Sequence, residues 1–335
     1  MSRTVNAAFN TFLKEYVNLD PDQTKLAIKS RDWLLEQIQL FPPKDISFPR
    51  LFSEKHILFG SFARRTKKRE LDDIDIMIAL HAEGSFYNEY TDRIEICIPN
   101  NAYQLKAFCH ENTSILNSKK LINKFISSLN IVPQYENAEI KRNLEAATLK
   151  LKSYPWNFDI VPCFFTQKDR CDRDYYLIPD GNGHWKKTDP RIDKNRVIDV
   201  CQLHNRNVLH VIRLMKYWNR RRTMPSMSSY LLENMILDMY FRDGYIKASE
   251  YVDLEVTKVL RYIKNNIFYP VNDPKNIQGN INTLNYEEKN KVQTRAGIDY
   301  TKALKARKLE GEGNHKLSIA KWSEIFGQNF PTYTY

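Results

Sequence analysis

The sequence predicts an α+β fold: a mixed sheet with flanking helices, followed by a helical bundle. Short apolar, β-branched runs broken by turn residues recur between positions 56 and 185. From about residue 195 onward, apolar side chains recur at helical spacing instead. The 335 residues leave room for two lobes, expected as 1–195, including the N-terminal helices, and 196–335.

The elements follow in order. Val5, Phe9, Phe12, Leu13 and Tyr16 mark a first helix, and Leu26, Trp33, Leu34 and Ile38 a second. Asp20 before Pro21 suits an N-cap with proline at the first helical position, and FPP at 41–43 ends the stretch. HILFGSF is an apolar strand entering a Gly-Ser turn. DDIDIMIAL and RIEICIP are strands, and 103–130 returns to helix. EAATLKLK and NFDIVPCFFT alternate as paired strands around the turn SYP, and DYYLIPDGNGHW adds a strand and a glycine turn. Beyond the boundary come three helical runs, with NDPKNIQGNINTLN expected as a polar surface loop. Arg220, Arg221 and Arg222 suit a helix C-terminus, and Trp322 and Phe326 suit core anchors of the last helix.

The chain is 42% hydrophobic and 27% charged, an ordinary globular composition. A net charge of +11 favours anionic partners, although a basic solubilising surface explains it as well. Five cysteines with no CxxC pair exclude a zinc ribbon or a disulfide scaffold. No signal peptide and no apolar run of spanning length occur, so a cytoplasmic location without membrane contact is expected.

The informative stretch is FGSFARRTKKRELDDIDIMIAL, residues 59–80. Five basic side chains run into four acidic ones, which then alternate with isoleucine inside a core-like strand. Residues two apart on a strand share a face, so Asp73 and Asp75 point together while Ile74 and Ile76 point inward. Two like charges so placed need a cation, and a hard divalent ion such as Mg²⁺ fits oxygen ligands. Salt bridges at a solvated strand end are the plainer alternative. Asp159 is a second lone acid in an apolar strand. On a neighbouring strand it would complete the three carboxylates that two-metal phosphoryl transfer requires. Gly60-Ser61, between a strand and a helical turn, offers amides and a hydroxyl to phosphate oxygens.

Gly60-Ser61-Phe62, Thr66, Asp73-Ile74-Asp75-Ile76 and Asp159 resemble the DNA polymerase β-type nucleotidyltransferase superfamily. Arg213-Leu214-Met215-Lys216-Tyr217-Trp218 followed by Ser228-Ser229-Tyr230-Leu231-Leu232-Glu233 is similar to the helical lobe of cGAS/DncV-like nucleotidyltransferases, in particular bacterial anti-phage (CBASS) members. The resemblance implies a polymerase β-like catalytic lobe plus a helical lobe, with NTPs bound in the cleft between them. It implies two Mg²⁺ ions, replaceable by Mn²⁺, on Asp73, Asp75 and Asp159. It assigns the donor triphosphate to Gly60, Ser61, Lys216 and Ser229, and the donor base to the Tyr230 ring. The implied product is a cyclic di- or trinucleotide second messenger, released with pyrophosphate.

Two rivals accompany this expectation: a template-independent polymerase or linear oligonucleotide synthase switched on by RNA, and a non-catalytic nucleotide-binding scaffold. A monomer is expected, with a regulatory protein or nucleic-acid activator left open. The zinc insertion of animal relatives is lacking, which argues against direct sensing of double-stranded DNA. The ending PTYTY gives no support for C-terminal conjugation.

Overall fold

A computed structural model describes residues 2–222, 224, 227–242 and 246–334. The chain packs into two compact units: Met1–Asp20, Arg65–Glu70 and Ile192–Tyr335 form one, and Pro21–Arg64 with Leu71–Arg191 the other. The boundary expected at 195/196 follows the chain, whereas the packing sends the first twenty residues to the helical unit. The cause is apolar patterning. Helix Val5–Phe12 buries Val5, Ala8, Phe9 and Phe12. Phe9 meets Trp322, Phe326 and Phe330 edge-on, with ring centroids 4.9, 5.9 and 5.0 Å away.

The sheet unit holds nine strands: β1 (Ile57–Phe59), β2 (Asp73–Leu80), β3 (Phe86–Glu89), β4 (Ile94–Cys97), β5 (Glu139–Asn143), β6 (Ala146–Lys150), β7 (Asn157–Phe165), β8 (Tyr176–Pro179) and β9 (Trp185–Thr188). The spatial order is β1-β2-β7-β8-β9-β4-β3, and β6 bridges β7 to β5. β2 and β7 run parallel through eight register pairs, from Asp73↔Asn157 to Leu80↔Phe164. Every other strand pair is antiparallel. Parallel strands are covered on both faces, which explains why Ile76–Leu80 is an unbroken buried apolar run. Helix Ser118–Asn130 buries Leu121, Ile122, Phe125 and Leu129, and the Asn117 side chain caps it by accepting from the Lys119 and Lys120 amides. The expected helix over 103–130 is in fact one turn at Tyr103–Lys106 and then this helix. β3, β5 and β9 were not foreseen: FYNE, EIKRN and WKKT carry too few apolar residues to announce themselves.

The helical unit comprises helices Asn207–Asn219, Ser229–Arg242, Val252–Asn266, Tyr286–Gly311 and His315–Phe326, with most of Pro190–Leu203. Its core gathers Trp218, Leu232, Ile236, Leu260, Trp322 and Phe326 with Phe9 and Phe12. Asn285 and Glu288 close a capping box at the start of the longest helix. Among the described residues, no helix is long and apolar enough to cross a membrane.

Candidate active site

The sheet unit contributes the carboxylates. Asp75 on β2 pairs in register with Asp159 on β7, and Asp159 pairs with Thr148 on β6. Phe59 of β1 faces Asp75 from the other side. Register partners on adjacent strands project to one face, so Asp75, Asp159 and Thr148 form a row, with Asp73 two residues before Asp75 on that face. Ile74 and Ile76 occupy the opposite, buried face. The Thr148 hydroxyl donates to Asp159 Oδ1 at 2.6 Å and fixes that carboxylate's rotamer.

Gly60 opens a single helical turn, Gly60–Ala63, at φ +71°. A Cβ built on it would lie 1.7 Å from Asp75 Oδ2 and 2.6 Å from Asp75 Cγ. The position therefore requires glycine twice, for its left-handed backbone and because the Asp75 carboxylate lies against its Cα. Ser61 follows within the turn and is half-buried.

The donor chemistry suits a hard divalent cation: carboxylate oxygens gathered on one face of two paired strands. Among the described residues, no group of three or more His, Cys, Asp or Glu side chains is already arranged as a metal cage. Asp159 is turned to the Thr148 hydroxyl. Shared face and donor type thus fit a cation.

The helical unit holds the remaining expected residues. Lys216, on helix Asn207–Asn219, is 4% exposed. Its Nζ donates to Glu233 Oε2 at 2.5 Å and to the carbonyl and hydroxyl oxygens of Thr66 at 3.2 Å each. The Thr66 hydroxyl donates to the same Glu233 oxygen at 2.8 Å. A plain amphipathic-helix reading would have Lys216 snorkel to solvent; instead the ammonium is buried with a counter-ion, as a desolvated charge must be.

Ser229 and Tyr230 open helix Ser229–Arg242, and both are half-buried. The Tyr230 hydroxyl donates to Asp193 Oδ1 at 2.7 Å. Lys275 Nζ donates to the Tyr230 hydroxyl and lies 4.5 Å from the centre of its ring. Burial, and next the Asp193 charge, push the phenol far above its ordinary pKa, so it remains a donor. Thr148, Asp193, Asp273 and Lys275 escaped the sequence reading. Each is an ordinary polar residue whose significance is a partner far away in the chain. Thr66 and Glu233 were visible only as members of motifs.

No protein-family model matches the chain. A probable cyclic nucleotide synthase of Bacillus cereus strain VD146 is 43% identical over 334 residues, covering 99% of both chains. The chain belongs to the cyclic nucleotide synthases. As a member of that family it is an enzyme. Similar solved folds include the following. CdnC of E. coli MS115-1, solved with ATP and in complex with HORMA-deltaN, gives a TM-score of 0.68 at 15% identity; the ATP structure covers 98% of this chain and 100% of its own. Vibrio cholerae DncV, a cyclic AMP-GMP synthase, gives 0.58 at 13% identity over 83% of this chain and 70% of its own. These likenesses bear out the α+β architecture of a mixed sheet with flanking helices plus C-terminal helices.

Proposed function

We propose that this cyclic nucleotide synthase joins NTPs into a cyclic di- or trinucleotide second messenger, in the cytoplasm and in anti-phage defence, by two-metal nucleotidyl transfer with release of pyrophosphate. The observation that supports the chemistry is the β2–β7 register, which sets Asp75 beside Asp159 with Asp73 on the same face. Asp73 and Asp75 would ligate both ions, and Asp159 the ion on the acceptor side. Mg²⁺, or Mn²⁺ in its place, would supply charge neutralisation of the triphosphate and activation of the attacking ribose hydroxyl. Thr148 orients Asp159 by donating to one of its oxygens. Gly60 gives Asp75 its place, and the Ser61 hydroxyl with the turn amides would hold phosphate oxygens.

Lys216 would neutralise the β and γ phosphates with Ser229 beside it. Its pairing with Glu233 means the ammonium must exchange a carboxylate for a phosphate when substrate binds. Tyr230 would stack on the donor base. The CdnC structure with ATP supports NTPs as ligands, and its HORMA-deltaN complex supports a protein partner.

The test is product analysis. The protein is incubated with labelled NTPs, singly and together, in Mg²⁺, in Mn²⁺ and in EDTA, beside Asp73→Ala and Asp75→Ala. A phosphatase-resistant product of di- or trinucleotide mass, lost in EDTA and in both variants, is expected. Linear, phosphatase-sensitive chains would replace this reading with a linear synthase. Nucleotide binding without turnover, with and without added RNA, would indicate a scaffold.

A further inference from the structure

β2 and β7 carry the candidate carboxylates near their first residues and border a cavity at their last. The cavity measures about 620 Å³ and is lined by the sheet unit alone. Leu80 and Phe164, the register pair that ends the parallel ladder, both line it, five residues beyond Asp75 and Asp159. At a rise of about 3.3 Å per residue, that separates the two places by roughly 16 Å. The volume is that of a small-molecule site. Its walls are aromatic: Phe52, Phe86, Tyr87, Phe164 and Phe165. Phe86, on the edge strand β3, is 60% exposed although it is a large apolar side chain.

The lining also carries unspent hydrogen-bonding groups. Ser85 Oγ is buried without a hydrogen-bond partner, and a buried polar atom left so calls for one. His81 Nδ1 accepts the Glu83 amide at 3.2 Å, so in the neutral ring the proton sits on Nε2, which has no acceptor among the described residues. Gln167, exposed at the rim, adds an amide that both donates and accepts. The Tyr87 hydroxyl is already paired with the Tyr175 hydroxyl at 2.5 Å. The lining charges do not favour an anion. Lys168 pairs with Asp172 at 2.8 Å, while Glu83 and Asp169 add negative charge. We infer that this cavity is a binding site for an uncharged nucleobase or nucleoside, separate from the candidate carboxylates. Flat aromatic walls stack on a flat heterocycle, and mixed donors and acceptors match a base edge, which displays both. A plain hydrocarbon would leave Ser85 Oγ unpaired, and a phosphate would meet Glu83. The inference does not depend on which product the enzyme makes.

The experiment titrates the full chain with adenosine, guanosine, cytidine and uridine, with their 5′-monophosphates, and with toluene as a ring that has no donor or acceptor. The proteins are wild type, Phe86→Ala, Ser85→Ala and Asp73→Ala. Saturable binding of at least one nucleoside to the wild type is expected. Phe86→Ala, which removes a largely exposed ring, should weaken the tightest nucleoside by about tenfold. Ser85→Ala should weaken it by about fivefold and leave Tm unchanged or raised, because it deletes a hydroxyl with no partner in the fold. Asp73→Ala should bind nucleosides as the wild type does. Absence of saturable nucleoside binding would overturn the inference. Binding lost in Asp73→Ala and kept in Phe86→Ala would belong to the carboxylate site and also overturn it. Toluene held as tightly as any nucleoside would make this an apolar cavity only. A monophosphate whose Phe86-dependent binding exceeds that of its nucleoside would overturn the assignment to an uncharged ligand. A lowered Tm in Ser85→Ala with unchanged nucleoside affinity would make the hydroxyl structural and count against the site. If Phe86→Ala shows no cooperative melting, Ser85→Ala decides by the same criteria.

Discussion

Gly60→Ala tests the carboxylate site without touching a carboxylate. The new methyl would stand 1.7 Å from Asp75 Oδ2, so that side chain must retreat by about 1.5 Å to reach ordinary contact. A displacement of this order at reacting groups costs on the order of 100-fold in rate. The φ of +71° adds a separate cost of about 1–2 kcal/mol for a residue with a Cβ. Gly84→Ala separates the two effects, since Gly84 has φ +81° but its new methyl would meet nothing closer than 3.9 Å. Both variants should lower Tm by a few degrees. Only Gly60→Ala should lower pyrophosphate release by about 100-fold, and it should do so with little change in binding of an unreactive NTP analogue. Equal activity in the two alanine variants would refute the idea that Gly60 exists to seat Asp75.

Other expectations follow from the same contacts. Thr148→Val removes the hydroxyl that holds Asp159 and should cost about 1 kcal/mol of stability and about tenfold in turnover, read by urea denaturation and by pyrophosphate release. Lys216→Met and Glu233→Gln each strand a buried partner, at about 3–5 kcal/mol, whereas the double variant should recover part of that loss in the same denaturation assay. His56 is held near a pKa of about 4 by burial, and its Nδ1 accepts the Ala79 amide, so folding favours the neutral ring. Its contribution is therefore complete above about pH 6.5 and lost as pH falls toward about 4. Stability measured across that window should fall less steeply in His56→Asn than in the wild type.

Much of this molecule was legible because the sequence breaks its own patterns. Aspartates at 73, 75 and 159 interrupt apolar strands, and an interruption of that kind needs a physical reason. Alternation also gave the shared face of Asp73 and Asp75, since a strand has period two. What alternation cannot give is register. That Asp75 meets Asp159 rather than Asn157 depends on how two strands 84 residues apart slide against each other. The same limit hid Thr148, Asp193 and Lys275, whose importance is a long-range partner. Lys216 was found by its motif, but its burial against Glu233 and Thr66 could not be read from a helix that otherwise looks amphipathic.

The N-terminal helix carries a consequence for any attempt to divide the protein. A cut at 195/196, the boundary the sequence suggests, would leave the helices without residues that complete their core. Val5, Ala8, Phe9, Phe12, Leu13 and Val17 are all buried in the cluster that contains Trp322, Phe326 and Phe330. At about 1.5–3 kcal/mol for each large side chain, their removal forfeits about 10 kcal/mol. That is comparable to the entire stability of a typical domain. The same cut removes Thr66, which hydrogen-bonds both Lys216 and Glu233, and so leaves that ion pair short of a polar partner. A fragment of residues 196–335 should therefore show no cooperative thermal transition, while one that joins 1–20 to 192–335 through a flexible linker should regain part of it. Calorimetry on the two fragments decides the matter: a sharp, reversible transition in 196–335 alone would mean that the aromatic contacts of Phe9 and Phe12 are dispensable. The core would then have to close over Trp322 and Phe326 by some other packing.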